Sequence, residues 1–325
     1  MAGEAHRPRQ FFIRVDDMDA LRFEAVNAGN LELYLELTRQ AFWLPAWPGT
    51  EWFEHELDRL SGLPEPPAYL IYAGTEPVGR AIVLQIDDLL IIRDLALLPR
   101  PGLTALAAQA LLAWAWDRQA QFVRAVVYET VWQEFAALGF VEQKRRMTMH
   151  RPLGAEKALA DRTARHVTPG DVREIGKLLN AAYRGTVDDE GEDLQLWTQH
   201  ARDVLSGQYG KFLIAASYIY PAAPPYQSAT LVVESAPGCA VLGQVVTHPL
   251  FGQRGLARRL IQSALRPLAG MGYAHWYLEV TLANLHAVRL YRSLGFTPTG
   301  PQIVYATRSR EGRLTVVPAS NRLSG

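Results

Sequence analysis

The sequence predicts an α/β fold built from two consecutive units. Two observations lead to this prediction. The chain has 325 residues, which is too long for one typical domain. The order of strand-like and helix-like segments in the first half recurs in the second, and in each half a short helix is followed by a Gly-Phe pair, at Gly139-Phe140 and Gly295-Phe296. We predict a first unit over 1–152, a linker over 153–164 and a second unit over 165–325.

The first half alternates strands with helices. Apolar residues at every second position predict strands, and a period near 3.6 residues predicts helices. The predicted strands are Gln10–Val15, Tyr69–Ala73, Val78–Gln85, Leu89–Leu98, Phe122–Tyr128 and Val141–Met149. The predicted helices are Leu31–Phe42, Thr50–Leu60, Leu103–Asp117 and Val131–Leu138.

The second half repeats this order and adds a proline-rich insertion, Tyr218–Gln227. Thr168 is a suitable N-cap for the first helix of this half. Ile303–Thr307 is predicted to complete the second unit. The predicted strands are Arg165–Val167, Lys211–Ser217, Ser228–Glu234, Cys239–Thr247, His275–Thr281 and Ile303–Thr307. The predicted helices are Asp171–Arg184, Leu194–Leu205, Leu256–Met271 and Leu285–Leu294.

Composition excludes several classes of function. Lys plus Arg equals Asp plus Glu, at 33 each, which argues against a general nucleic-acid-binding protein. Cys239 is the single cysteine, so an internal disulfide or a cysteine-based metal cluster cannot form, and the spacing of ligands predicts no metal site. The sequence shows neither a membrane-length apolar run nor a signal peptide. We therefore expect a cytoplasmic protein.

The loop after the predicted strand Cys239–Thr247 has the features of an anion-binding site. Pro249 ends the strand, a glycine-bearing loop follows, and a helix starts at Leu256. Such a loop lets backbone N–H groups face an anion, and the N-terminus of the helix adds the positive end of its dipole. The sequence therefore predicts a phosphate-binding loop over 252–257.

Together with the segment from Asn284 to Phe296, this loop resembles the acetyl-coenzyme-A-binding core of the GNAT N-acetyltransferase superfamily. The family loop is Arg or Gln, two residues, Gly, one residue, then Gly or Ala. Gly252, Gly255 and Ala257 occupy those positions here, so Gly252 replaces the family's Arg or Gln, and Arg254 is the candidate to compensate. The second family signature matches at Asn284, Ala287, Leu290–Tyr291 and Gly295–Phe296.

The resemblance implies two tandem GNAT-like domains, each a mixed, mostly antiparallel sheet flanked by helices. It also implies transfer of acetyl from acetyl-CoA to a primary amine by direct attack, in the second domain. The acceptor would be a small molecule or a peptide, with no nucleic-acid or membrane partner, and a homodimer is left open. The implied cofactor-binding residues are Gln244, Val245, Val246, Gly252, Gln253, Arg254, Gly255, Leu256, Ala257 and Asn284.

Two residues are the candidates for catalysis. Tyr291 holds the family position of the general acid toward the thiolate, and we favour that role over the alternative of a packing residue. Glu279, twelve positions earlier, resembles the proposed base of the ribosomal-protein alanine N-acetyltransferase branch; a desolvated cleft would raise its pKa, but an alternate strand position can also face solvent. The acidic stretch Asp188–Asp193 could attract a cationic amine, but we favour a solvated loop.

We interpret the first half as a degenerate copy of the second. Its loop from Pro99 to Gly102 is three residues shorter than the corresponding loop of the second half. Phe135 and Tyr128 stand where the second half has Tyr291 and Asn284. Two other hypotheses remain: a non-catalytic protein that binds or senses acyl-CoA, and a purely structural pair of domains.

Overall fold

The computed structural model describes residues 10–13, 21–41, 67–154 and 163–312. The predicted helix Thr50–Leu60 and most of the predicted linker lie outside these ranges. The described residues form two compact units. The first contains the residues up to Arg145 together with those from Pro301 onward, and the second runs from Arg146 to Gly300. The domain boundaries drawn from sequence remain predictions.

The first unit is a mixed sheet with helices. Its strands are β1 Gln10–Ile13, β2 Leu21–Ala25, β3 Ala68–Ala73, β4 Glu76–Ile86, β5 Leu89–Leu97, β6 Phe122–Tyr128 and the end of β14 Thr297–Ser309. Its helices are α1 Leu31–Ala41, α2 Leu103–Asp117 and α3 Trp132–Ala137. The strands lie in the order β1-β2-β3-β4-β5-β6-β14, and among the described pairings of this unit only that of β5 with β6 is parallel. The short strand β2 was missed by the sequence analysis.

The second unit has the same architecture. Its strands are the end of β7 Val141–Pro152, β8 Arg165–His166, β9 Lys211–Phe212, β10 Tyr218–Tyr220, β11 Ser228–Ala236, β12 Cys239–Thr247 and β13 His275–Thr281. Its helices are α4 Val172–Tyr183, α5 Leu194–Ser206, α6 Leu256–Gly270 and α7 Leu285–Ser293. The order is β7-β13-β12-β11-β10-β8, with β9 beside β11, and only β12 and β13 are parallel among the strands that the structure describes here.

The strand that completes each sheet comes from the other half of the sequence. Residues Ile303–Ser309 of β14 pair antiparallel with β6 in the first unit. Residues Arg146–Pro152 of β7 pair antiparallel with β13 in the second. The prediction that Ile303–Thr307 completes the second unit was therefore wrong, because alternation of apolar residues identifies a strand and its buried face but not its partner.

One predicted strand of the second unit is broken. Lys211–Ser217 consists of the short strand β9 and a 3₁₀ turn at Ile214–Ala216, and β10 begins inside the segment taken as a proline-rich insertion. The turn lets the Ser217 hydroxyl donate to the Leu213 carbonyl and accept from the Val232 N–H. These hydrogen bonds give the buried Ser217 hydroxyl its partners at a point where the regular strand pairing is interrupted.

Two cores cover the two faces of the second sheet. On one face, α6 and α7 pack over Trp276, Leu278 and Val280 of β13. On the other face, α4 and α5 pack over Leu231 and Val233 of β11. The mixed α/β architecture predicted from sequence is confirmed. Within the described ranges, no helix combines the length and the apolar character needed to span a membrane.

Candidate active site

The central feature of the second unit is the separation of its two parallel strands. β12 and β13 pair at Ala240–Trp276 and Val241–Tyr277, and no later residue of β12 has a β13 partner among the described residues. A bulge at Gly243 coincides with this separation, because Leu231 and Val232 of β11 face Gln244 and Leu242. A bulge bends its strand and increases the local twist. The edge of β12 from Gln244 to Val246 is thereby left open toward β13.

The loop after β12 leads directly into a helix N-terminus. A 3₁₀ turn at Pro249–Phe251 is followed by Gln253 at φ 60° and Gly255 at φ 73°. Gly255 is the N-cap of α6, and no side chain caps this helix. A Cβ placed on Gly255 would meet no atom within 4 Å, so the space in front of the helix is open. Uncapped N–H groups and the helix dipole together suit a phosphate.

Tyr291 is buried on α7, with 6% of its surface exposed. Its ring contacts Phe296 edge-on, with 5.9 Å between centroids. Burial, together with the nearby Tyr183 and Asp188, raises the pKa of Tyr291 far above its usual value. The phenol is therefore protonated throughout the neutral range. Val245, at the open edge of β12, packs against the apolar cluster that contains Tyr291.

Asn284 is the N-cap of the helix that carries Tyr291. Its side-chain oxygen accepts a hydrogen bond from the Ala287 N–H at 3.1 Å. The side chain of Asn284 fixes the start of α7 and so the position of Tyr291 about two turns later.

A second tyrosine, Tyr183 at the end of α4, belongs to a hydrogen-bonded network that the sequence analysis missed. Its hydroxyl donates to Gln244 Oε1 at 2.5 Å, and Gln244 Nε2 lies 3.0 Å from His200 Nε2. The Tyr183 ring stacks on Trp197, with centroids 4.6 Å apart and planes 6° from parallel. Gln244 thus faces α4 and α5 with its side chain, while its backbone lies at the open edge of β12.

The acidic loop between α4 and α5 is anchored to β13 through Asp188. Thr281 at the end of β13 donates to Asp188 Oδ1 at 2.5 Å, and Arg146 Nη2 lies 3.6 Å from the same oxygen. Arg146 Nε also donates to Thr281 Oγ1 at 3.4 Å. Only 13% of the Asp188 side chain is exposed. The preference for a solvated loop is therefore wrong for Asp188, since a threonine and an arginine far away in sequence draw it onto the sheet.

Glu279, the candidate base, is solvent-exposed. It lies on the same face of β13 as Thr281, two residues away, and opposite Thr148 of β7. The desolvated setting expected for a general base is therefore not seen at Glu279. The sequence could not reveal this, because exposure depends on which helices cover this face of the sheet.

Comparison with known proteins agrees with this geometry. Residues 172–296 match the model of the Acetyltransferase (GNAT) family. This segment is similar to that family. It contains the open edge of β12, the loop 252–257, Glu279 and Tyr291. No curated protein sequence matches the chain.

Solved structures resemble the whole chain at low sequence identity. A GCN5-related N-acetyltransferase from Sphaerobacter thermophilus is 17% identical, with a TM-score of 0.67, covering 89% of this chain and 95% of that one. A tandem GNAT protein from the clavulanic acid biosynthesis pathway is 15% identical, with a TM-score of 0.61, covering 91% and 99%. A putative acetyltransferase from Pyrococcus horikoshii is 13% identical, with a TM-score of 0.56, covering 97% and 96%.

At these identities the likeness concerns the fold. It confirms the predicted architecture of two tandem GNAT-like domains, each a mixed, mostly antiparallel sheet flanked by helices. The finer resemblance to the ribosomal-protein alanine N-acetyltransferase branch remains a prediction.

Proposed function

We propose that the second unit is an N-acetyltransferase that moves acetyl from acetyl-CoA to a primary amine by direct attack. The observation that carries this proposal is the position of Tyr291. A phenol that keeps its proton at neutral pH is buried in the apolar cluster against which Val245 of the open strand edge packs. The match of residues 172–296 to an acetyltransferase family supports the same reaction class.

The residues present fit the donor that this reaction needs. The open edge of Gln244, Val245 and Val246 offers backbone donors and acceptors to an amide-bearing chain, as a neighbouring strand would. The N–H groups of the loop 252–257 would hold the pyrophosphate, and the exposed Arg254, above the Phe251 ring at 5.2 Å, adds a positive charge. When bound, acetyl-CoA supplies an acetyl group activated as a thioester.

Tyr291 is the proposed acid. In the overall reaction the amine nitrogen forms a bond to the acetyl carbon, the carbon–sulfur bond breaks, nitrogen loses a proton and sulfur gains one. The Tyr291 hydroxyl delivers that proton to the departing sulfur. Glu279 is the proposed acceptor of the proton from nitrogen, since it lies on the face of β13 that also carries Thr281.

The exposure of Glu279 favours one alternative, a domain that binds acyl-CoA without turning it over. Release of free thiol from acetyl-CoA distinguishes the acetyltransferase from the binding domain. We would measure it with kanamycin, spermidine, alanine and a hexapeptide that begins with alanine as acceptors. We expect thiol release that depends on one of these amines. Binding of acetyl-CoA without thiol release on any of them would favour the alternative, and failure to bind acetyl-CoA would contradict both.

A further inference from the structure

A cavity lies at the end of α6 that is remote from the loop 252–257. Its volume is about 600 Å³, and the residues that line it include Lys211 and Ile214 from the segment around β9, and Met271 and Gly272 directly after α6. α6 has 15 residues, so roughly 22 Å of helix separate this cavity from the proposed phosphate-binding loop. The volume lies within the range of small-molecule sites, and the place is apart from the acetyl-CoA site proposed above.

The acidic group of the cavity is Glu234, near the end of β11. Its side chain is mostly buried, and its Oε1 accepts a hydrogen bond from the Gly238 N–H at 2.9 Å, which fixes the carboxylate. Met271 and Gly272 line the same cavity, so the negative end of the α6 dipole also lies there. Burial, followed by the charge of Glu234, raises the pKa of Tyr273 to about 12, so this lining phenol is neutral. This part of the cavity suits a cationic group.

The basic group of the cavity is Lys211, which pairs in register with Glu234 across β9 and β11. Gly210 allows this close approach of the two segments, because a Cβ on Gly210 would collide with the Glu234 carbonyl oxygen. The Lys211 ammonium lies 3.9 Å from Glu234 Oε2, and 76% of the lysine side chain is exposed. An ion pair of this kind contributes little to stability, so a ligand can replace it with shorter contacts.

Two exposed apolar side chains, Ile214 and Met271, line the same cavity. The apolar part of a ligand would remove their surfaces from water. The Met271 thioether also makes favourable contacts with aromatic rings. The cavity therefore combines one carboxylate, one ammonium and an apolar wall.

We propose that this cavity binds a free α-amino acid with a large apolar or aromatic side chain. The ligand's ammonium group meets Glu234, its carboxylate meets Lys211 and its side chain covers Ile214 and Met271. A molecule with the ammonium group alone is repelled by Lys211, and one with the carboxylate alone is repelled by Glu234. The cavity thus selects a zwitterion. This inference is independent of the reaction proposed for the second unit.

Phenylalanine is the probe, and the readout is the methyl resonance of ¹³C-labelled Met271 in an NMR titration of the full chain. Met271→Leu assigns this resonance. We expect a saturable shift with a Kd of about 1 mM or lower, as expected for a ligand of about twelve non-hydrogen atoms. The methyl group reports on the cavity itself, so phenylalanine bound as an acceptor amine at the other end of α6 would not produce this shift.

Two analogues and two substitutions test the assigned charges. Phenylalaninamide lacks the carboxylate and 3-phenylpropanoate lacks the amine, so each should bind the wild-type chain about tenfold more weakly than phenylalanine or worse. Lys211→Met should weaken phenylalanine about tenfold and leave phenylalaninamide no weaker. Glu234→Gln keeps the oxygen that accepts from Gly238, and it should weaken phenylalanine equally and leave 3-phenylpropanoate no weaker. Lys177→Met removes a lysine from an exposed ion pair with Glu174 and is the matched control, which should change none of these affinities.

Three outcomes would overturn the proposal. The absence of a Met271 shift up to about 10 mM phenylalanine would remove the site. Equal binding of phenylalanine and its two analogues, unchanged in Lys211→Met, would contradict the ligand class. A Met271 shift that follows the concentration of the chain and not that of phenylalanine would assign the cavity to contact between two copies. None of these outcomes depends on acetyl transfer, so the proposed function stands or falls separately.

Discussion

The two units share a packing motif and differ in one hydroxyl group. In the first, Phe135 and Phe140 meet edge-on at 5.3 Å; in the second, Tyr291 and Phe296 do so at 5.9 Å. In both, the N–H of the second aromatic residue donates to the carbonyl of the first, at 3.2 and 3.0 Å. The glycine between them has φ 81° in one unit and 86° in the other. The motif therefore ends a short helix whether or not its first ring carries a hydroxyl.

The anion-binding loops show a sharper difference. α2 and α6 both begin after an uncapped glycine in the left-handed region, Gly102 at φ 76° and Gly255 at φ 73°. The connection spans residues 98–102 in the first unit and 248–255 in the second. The strands of the first unit also stay paired for longer, through Ile92–Ala125. An open helix start is thus common to both units, while the longer loop and the earlier strand separation belong to the second.

The residue after the bulge also differs. In the first unit Asp94 occupies this place, opposite Ile82, and accepts from Arg80 at 2.6 Å. Arg80 is fully buried and also donates to the Tyr34 hydroxyl at 3.4 Å. In the second unit Gln244 holds Tyr183 and His200. The first unit therefore has an ion pair with a fully buried arginine where the second has a neutral hydrogen-bonded network.

Breaking that ion pair should give the largest effect. Removing one partner of a buried pair leaves a desolvated charge, which costs about 3–5 kcal/mol. We therefore expect Asp94→Ala to lower the free energy of unfolding by that amount in chemical denaturation. Gln244→Ala, at the matching place in the second unit, removes a neutral partner and should cost about 1 kcal/mol. Equal losses of unfolding free energy in Asp94→Ala and Gln244→Ala would show that the two networks contribute equally to stability.

Exchange of the hydroxyl tests the shared aromatic motif. Tyr291→Phe should lower the turnover number about a hundredfold, roughly 2.7 kcal/mol in the activation free energy, because it removes the proton offered to sulfur. Affinity for acetyl-CoA and the melting temperature should change little. Phe135→Tyr is the reciprocal control and should add no activity. An unchanged turnover in Tyr291→Phe, with chemistry shown to be rate-limiting, would leave protonation of sulfur to water.

The sequence predicted most elements and the loop but not the partners of the site. Loop 252–257, Gly295 and Tyr291 stand out because glycine positions and helix periods are local signals. Arg146 and Asp188 meet only through strand β7, from the other half of the sequence, and a local pattern gives no information about that pairing. The exposure of Glu279 was likewise unpredictable, since alternation along a strand tells the two faces apart but not what covers them.

The two cap glycines allow a matched test of the loops. Valine at either Gly255 or Gly102 must adopt a positive φ, which costs roughly 1–3 kcal/mol, and neither site has a steric conflict within 4 Å of the new Cβ. Their effects on stability should therefore be similar. Only Gly255→Val should weaken binding of acetyl-CoA in calorimetry, by about tenfold or ~1.4 kcal/mol. If Gly255→Val binds acetyl-CoA normally, the loop 252–257 is not part of the binding site.

Acid should reveal a smaller effect in the second unit. Burial alone would raise the pKa of Asp171, but hydrogen bonds from Arg165, Tyr226 and Thr168 outweigh it and hold this pKa well below its usual range. A depressed pKa contributes stability that is present above the unfolded value, near 4, and is lost as pH falls below it. We expect the free energy of unfolding to fall by on the order of 1 kcal/mol in acid, and we expect this loss to be absent in Asp171→Asn. If Asp171→Asn loses the same stability in acid, the loss comes from other carboxyl groups.

Titration of the full chain with acetyl-CoA, without an acceptor, tests the contrast between the units most directly. The longer loop and the earlier separation of the two parallel strands occur only in the second unit of the described structure, so calorimetry should give one site per chain. Gly255→Val should weaken that site, and Gly102→Val should leave it unchanged. Two equivalent sites, or a single site that depends on Gly102 and not on Gly255, would contradict the account.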